Sequence, residues 1–309
     1  MKKHKNFVII FAICLKQSEY LQMSANYKNE KTLHIRGDCM VTKGLKKIKI
    51  VTMCLACLIS FPVTGTIPSY ANEMKNTNVT STYTQPSPLS GAVNYLDYAQ
   101  KIHKILKESI NGTEPFIETG IQVRSEELSD LCFYIQMYYL GETPKVYYVY
   151  QYETPEVGRI QIKRENVKTC IEQHEEALKQ LQKIVDDAAG IQSKDEKILH
   201  YASVLHDNNI YDYSHTNSTV YQLLKNKKGI CHAYTTAFGW LCKLSDIPVL
   251  YIEGKTEGPH AWNQVMLSNG EWKYIDVTNL FISPTRSYIE PDYYKQHFTE
   301  TMRYVMYKP

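Results

Sequence analysis

The chain has 309 residues, with 35 Lys and Arg against 32 Asp and Glu, 25 Tyr and eight Cys. Its slight excess of positive charge is uneven: residues 1–71 hold 11 of the basic and 3 of the acidic residues, which leaves 24 against 29, a formal net of −5, over the following 238 residues. That balance argues against a basic nucleic-acid-binding surface, and no Gly-rich phosphate loop or internal repeat is present to suggest nucleotide binding or a solenoid.

At the N-terminus, Lys43, Lys46, Lys47 and Lys49 precede an apolar stretch from Ile50 to Ile67, followed by small residues at Ser69 and Ala71. This is the layout of a secretory signal peptide of bacterial type, over residues 40–71, starting at Met40 and cleaved near Ala71. Pro62, Gly65 and Pro68 interrupt the stretch, so a removed signal fits better than a permanent membrane span, and the mature protein is expected to be secreted or at the cell surface. Residues 1–39, with a second apolar run from Phe7 to Leu15, read as a mis-assigned start or a non-structural leader. Cys54 and Cys57 have C-x-x-C spacing but lie inside the apolar run, without redox or metal context. Residues 72–90, rich in Asn, Thr, Ser and Pro, read as a flexible leader.

Residues 91–190 read as an α+β region. Val93, Leu96, Ala99, Ile102, Ile105 and Leu106 predict a helix over 92–110, ended by Asn111-Gly112. A second helix is expected within 122–139, entered near Ser125-Glu126-Glu127. Alternation at Val146, Tyr148 and Tyr150 predicts a strand over 145–152, paired with one over 159–163 around a turn at 153–158. Helical periodicity returns from Cys170 to Ala189 through Ile171, Leu178, Leu181 and Val185. Cys132 and Cys170 could bridge in an oxidising space, and two buried thiols fit equally well.

Residues 191–309 carry the chemistry. Ser193-Lys194-Asp195-Glu196 is a capping box that opens a helix. After Gly229, Tyr234, Ala237, Phe238, Leu241 and Leu244 recur at helical spacing until Ile247-Pro248, which puts Cys231 in the first turn. There, unsatisfied amides and the positive end of the helix dipole favour a negative sulfur and offer donors to an oxyanion. Residues 260–267 and 271–278 read as a hairpin around Ser268-Asn269-Gly270. With a three-residue loop and Gly270 in the left-handed region, Leu267 pairs with Glu271, Trp262 falls opposite Asp276, and His260 becomes the diagonal neighbour of Asp276. A two-residue loop would put His260 and Asp276 on opposite faces. In the three-residue register one face holds His260, Trp262, Gln264, Trp272, Tyr274 and Asp276, and the other holds Ala261, Val265, Leu267, Ile275 and Val277. The polar-aromatic face is expected to meet the Cys231 helix.

Thiol, imidazole and carboxylate thus follow in an order suited to nucleophilic catalysis: a base makes the thiolate, and an acid fixes the base. The clusters Gly229-Ile230-Cys231, His260-Ala261-Trp262 and Asp276-Val277-Thr278 resemble the transglutaminase-like superfamily over about residues 195–282. Matched residue by residue, the resemblance implies Cys231 as nucleophile, His260 as base and Asp276 as orienting acid. It also implies a papain-like α+β fold, a nucleophile helix packed on an antiparallel sheet. The chemistry it implies is acyl transfer at peptide or protein amides through a thioester, ending in hydrolysis, deamidation or crosslinking. Tyr221, upstream of the nucleophile, and Trp262 are lesser candidates for oxyanion or packing support.

Each residue taken singly has a structural explanation: Cys231 as a small buried hydrophobe, His260 as a satisfied core histidine, Asp276 as a strand-end acceptor. The joint order outweighs these. The chemistry needs no cofactor, and no metal cage is legible. The expected partner is a peptide or protein substrate at or near the cell wall, with no nucleic acid and no membrane span after signal removal. The alternative is a non-catalytic secreted or cell-surface binding module that retains the fold.

Overall fold

The computed structural model describes residues 8–13, 88–151, 154–278 and 288–309. The signal segment 40–71, the leader up to residue 87, and the Asn279-Leu280-Phe281 and Pro284 stretch lie outside the described residues. Among the described residues no helix is long and apolar enough to cross a membrane.

Strict burial alternation along Phe116–Arg124 makes this segment a strand, β2, with Ile117, Thr119, Ile121 and Val123 turned inward. It joins a four-stranded antiparallel sheet with β1 (Val8–Ile13), β3 (Val146–Gln151) and β4 (Thr154–Lys163), in the order β1-β3-β4-β2. Three sequence boundaries shift here. The expected second helix gives up Gln122–Arg124 to β2, and α2 runs only over Leu128–Tyr138. The broad turn at 153–158 is also shorter, because β4 already begins at Thr154. The run Val8–Ile13, read as a non-structural leader, pairs with the edge of β3 as six consecutive apolar strand formers.

The first helix, α1 (Leu96–Glu108), starts four residues later than its periodicity predicts, because Val93 is taken up by backbone bonds to Arg303 and Val305. α1, α2 and α3 (Val167–Asp187) cover one face of the sheet around Ile102, Leu131, Ile160 and Ile162. Cys132 and Cys170 are buried thiols in this first core, with no bridge between them.

A second core surrounds the Cys231 segment. α4 (Lys194–Asp207) is capped by the Ser193 hydroxyl accepting from the Glu196 amide at 3.3 Å. Two-residue strands β5 (Ile210–Tyr211) and β6 (Lys228–Gly229) pair in parallel, with Tyr211 opposite Gly229. Between them lies α5 (Val220–Asn226), entered through a reciprocal Thr219–Gln222 capping box. From Ile230 the chain enters α6 (Cys231–Leu244), in which all twelve residues from Cys231 to Cys242 are buried. Burying side chains such as Phe238 and Leu241 contributes about 1.5–3 kcal/mol each. α6 packs on an antiparallel sheet of order β10-β7-β8-β9, where β7 is Val249–Lys255, β8 Pro259–Met266, β9 Trp272–Ile275 and β10 Thr299–Tyr307. Helix α7 (Pro291–His297) precedes β10.

The β8–β9 register is the three-residue one: Asn263 faces Ile275, Gln264 faces Tyr274, and the Leu267 amide donates to Glu271 at 2.8 Å. Gly270 sits at φ +83°, a conformation that disfavours any side chain. The face expectation is corrected. Ala261, Val265, Leu267, Ile275 and Val277 share the core of α6, while Trp262 and Tyr274 pack with Ile252, Tyr294 and Phe298 on the other side. A helix buried almost all round demands the apolar face, and only the end of the polar face, at His260, reaches Cys231.

Candidate active site

Cys231 is the first residue of α6, fixed by the Ile230 amide bonding to the Asn217 carbonyl at 3.0 Å and by β6 just before it. His260 lies near the start of β8, and Asp276 one residue beyond β9. Because the hairpin register makes His260 and Asp276 diagonal neighbours, the imidazole Nε2 and the Asp276 Oδ2 meet at 2.7 Å. Asp276 is held in turn by Thr278, whose amide donates to Oδ1 at 3.0 Å and whose hydroxyl donates to the same oxygen at 2.7 Å. With Nε2 committed to the carboxylate, Nδ1 is left for the thiol.

Electrostatics follow from this arrangement. Burial alone would lower the His260 pKa, but the Asp276 carboxylate and the hydrogen bond to Cys231 raise it to about 10. The imidazolium is therefore the resting form near neutral pH. Trp262 stacks beside the ring, with centroids 5.9 Å apart and planes 26° from parallel. Its indole N–H is spent on the Tyr294 hydroxyl at 3.2 Å, so Trp262 walls the histidine and does not face an oxyanion.

Tyr221 sits on α5, its hydroxyl accepting from Lys225 at 2.9 Å, away from the thiol. The tyrosine that does meet Cys231 is Tyr211. Burial, followed by the charge of the sulfur and hydrogen bonding with Cys231, pushes its ionisation up. The parallel β5–β6 pairing makes this contact by setting Tyr211 level with Gly229, two residues before the nucleophile. Asp212, next in line, is a fully buried carboxylate that accepts from the Ser214, Thr216 and Asn217 amides at 3.1, 2.9 and 2.9 Å and pairs with Lys228 at 3.2 Å. It knots the loop after Tyr211. The Ser214 hydroxyl, with the Asn217 and Thr216 donors, holds this carboxyl well below the usual range.

His232, adjacent to Cys231, is a core residue. Its Nδ1 meets the Tyr251 hydroxyl at 2.9 Å, and burial lowers its pKa to about 4, leaving it neutral. Cys242 is fully buried at the far end of α6, and burial pushes its thiol up. Cys231 and His260 open onto a cleft of about 70 Å³ that is also lined by Phe133, Gln136, Tyr251 and Glu253. Tyr211 and Thr278 line a second hollow, of about 520 Å³. Among the described residues no His, Cys, Asp and Glu group has metal-site geometry.

Residues 182–277 match the model of the transglutaminase-like superfamily, a span that runs from the end of α3 through β9 to the residue after Asp276. Over this span the chain is similar to that superfamily. Two solved structures resemble it at low similarity. One is a protein from Cytophaga hutchinsonii described as a candidate cysteine protease, at 18% identity and a TM-score of 0.31, covering 42% of this chain and 50% of its own length. The other is a TGase, at 16% identity and a TM-score of 0.32, covering 68% of this chain and 64% of its own. The chain therefore spans between half and two thirds of these two proteins. No curated protein matches the sequence.

Proposed function

We propose that this chain is an exported cysteine enzyme that opens peptide or protein amides through a thioester. The observation that supports this best is His260, held between the Asp276 carboxylate at 2.7 Å and the Cys231 thiol. In the proposed reaction the Cys231 sulfur attacks the amide carbonyl, and the negative oxygen is met by the Cys231 N–H and the Tyr211 hydroxyl, which turn from each other toward it. The intermediate collapses as the C–N bond breaks, and the His260 imidazolium gives its proton to the departing amine. Neutral His260 then takes a proton from water, whose oxygen displaces the sulfur and releases the acid. An amine in place of water would give transfer instead. Water's abundance outside the cell favours hydrolysis. Export rests on the signal-like segment 40–71.

The test is iodoacetamide alkylation of Cys231 across pH 5–9, beside His260→Ala, followed by amine release from peptide amides. Alkylation that stays fast near pH 6 in the wild type and slows to that of an ordinary thiol in the variant is the expected result. Identical, slow profiles in both would overturn the enzyme in favour of a binding module.

A further inference from the structure

The cleft beside Cys231 contains a carboxylate that the proposed reaction does not use. Glu253 lies near the end of β7, directly opposite Ala261 and on the same face as Tyr251, so it points toward the α6 side of the sheet. It lines the cleft together with Cys231, His260, Phe133 and Tyr251. Its ionisation is opposed by another acid, Asp130 of α2, which accepts from the Tyr304 hydroxyl at 3.4 Å. Among the described residues no Lys, Arg or His lies within ion-pair distance of Glu253, although acids elsewhere on this chain are commonly paired, as Glu165 is with both Lys145 and Lys163. Lys255 also lines the cleft, two residues on, but is exposed.

A carboxylate lining an apolar hollow with no counter-ion at ion-pair distance is electrostatically unfinished. Burial first, and then the repulsion of Asp130, raise the Glu253 carboxyl to about 7. A cation entering the cleft would offset both effects. The walls suit the stem of such a group: Phe133, Tyr251, Ile230, Pro259 and Ala261 offer apolar surface to its methylenes.

We propose that Glu253, backed by Asp130, forms a subsite beside Cys231 for a cationic substrate side chain, an ammonium or guanidinium on a residue flanking the amide to be opened. The inference rests on the proposed enzyme reading for its substrate, but its binding chemistry does not depend on a reactive thiol. An acidic peptide is excluded by like-charge repulsion, and a neutral isostere forgoes the ion pair.

The experiment uses the full chain as Cys231→Ala, so that nothing turns over, and titrates it calorimetrically with two blocked tripeptides, acetyl-Ala-Lys-Ala-amide and its norleucine counterpart. They differ only in the ammonium. The lysine peptide is expected to bind at least tenfold more tightly, and more tightly still as pH rises from 6 to 8 and Glu253 ionises, while His260 stays charged. Adding Glu253→Gln, a close isostere whose thermal transition serves as the folding control, removes both the preference and its pH dependence. Equal affinities for the two peptides, or a lysine preference that survives Glu253→Gln, overturns the subsite. Failure of the enzyme reading would show separately, in the alkylation profile of the unsubstituted protein.

Discussion

Helix α6 has a buried histidine near each end, and the two behave oppositely. Beside Cys231, His260 is raised to about 10, since Asp276 and the thiol outweigh its burial. Toward the other end His174 packs against Trp240, with ring centroids 5.4 Å apart, and is lowered to about 3 by burial and then by the positive neighbours His103, Lys243 and Lys107. Both rings are nine-tenths or more hidden from solvent. Burial therefore does not distinguish a candidate catalytic histidine from a packing one. Nor does a carboxylate alone, since buried His206 meets Asp207 at 3.2 Å; what sets His260 apart is a carboxylate on one side and a thiol on the other.

The most severe way to break this contrast is Asp276→Asn, which makes the Cys231 end resemble the His174 end. Amide turnover is expected to fall about 10³–10⁴-fold, with the acid-range alkylation of Cys231 lost in parallel. Tyr211→Phe sharpens the contrast by leaving every charge in place while removing one oxyanion donor. kcat should drop roughly 10²-fold with KM nearly unchanged, whereas Tyr221→Phe should change neither.

At the other end of α6, the test is of stability. His174 accepts the Leu140 amide at Nδ1, 3.3 Å away, so His174→Phe leaves a buried N–H unmatched and costs about 1–3 kcal/mol at neutral pH. Its pKa is depressed in the folded state from the usual 6.5 to about 3. Its contribution is thus complete above pH 6.5 and is lost as pH falls through 3. Urea titrations from pH 7 to 3 should show a flatter acid limb in the variant. His260 has the opposite sign: its raised value makes its contribution complete below pH 6.5 and lost as pH rises through about 10. The smallest expected effect is Gly270→Ala, about 1 kcal/mol for a side chain at positive φ, with alkylation of Cys231 unchanged because the loop length, and so the register, is kept.

How far the site could be read from sequence depended on whether local rules reached each residue. Cys231, His260 and Asp276 were legible because helix periodicity and an odd-length hairpin loop are short-range signals, and together they determine which side chains can meet. The contact of Tyr211 with Cys231 was not, since it depends on two-residue strands that leave no periodic pattern, in a chain with 25 tyrosines. Tyr221, nearer along the sequence, lies on α5 with its hydroxyl bonded to Lys225. Glu253 follows the apolar run Val249–Ile252 and reads as a strand-end residue; the influence of Asp130 on it comes only from the fold. The facing of the hairpin differs from the expectation because His260 and Asp276 do not carry their whole face toward the Cys231 helix. The apolar face satisfies α6, and the His260–Asp276 pair sits at the sheet's end.

Helix α3 contributes Val167, Cys170 and Ile171 to the first core and Ala177 and Leu181 to the second. One rigid rod so shared leaves neither half a free surface on which to melt alone. Denaturant should therefore dismantle both in a single transition, and the amides of α3 should exchange with solvent only through global opening.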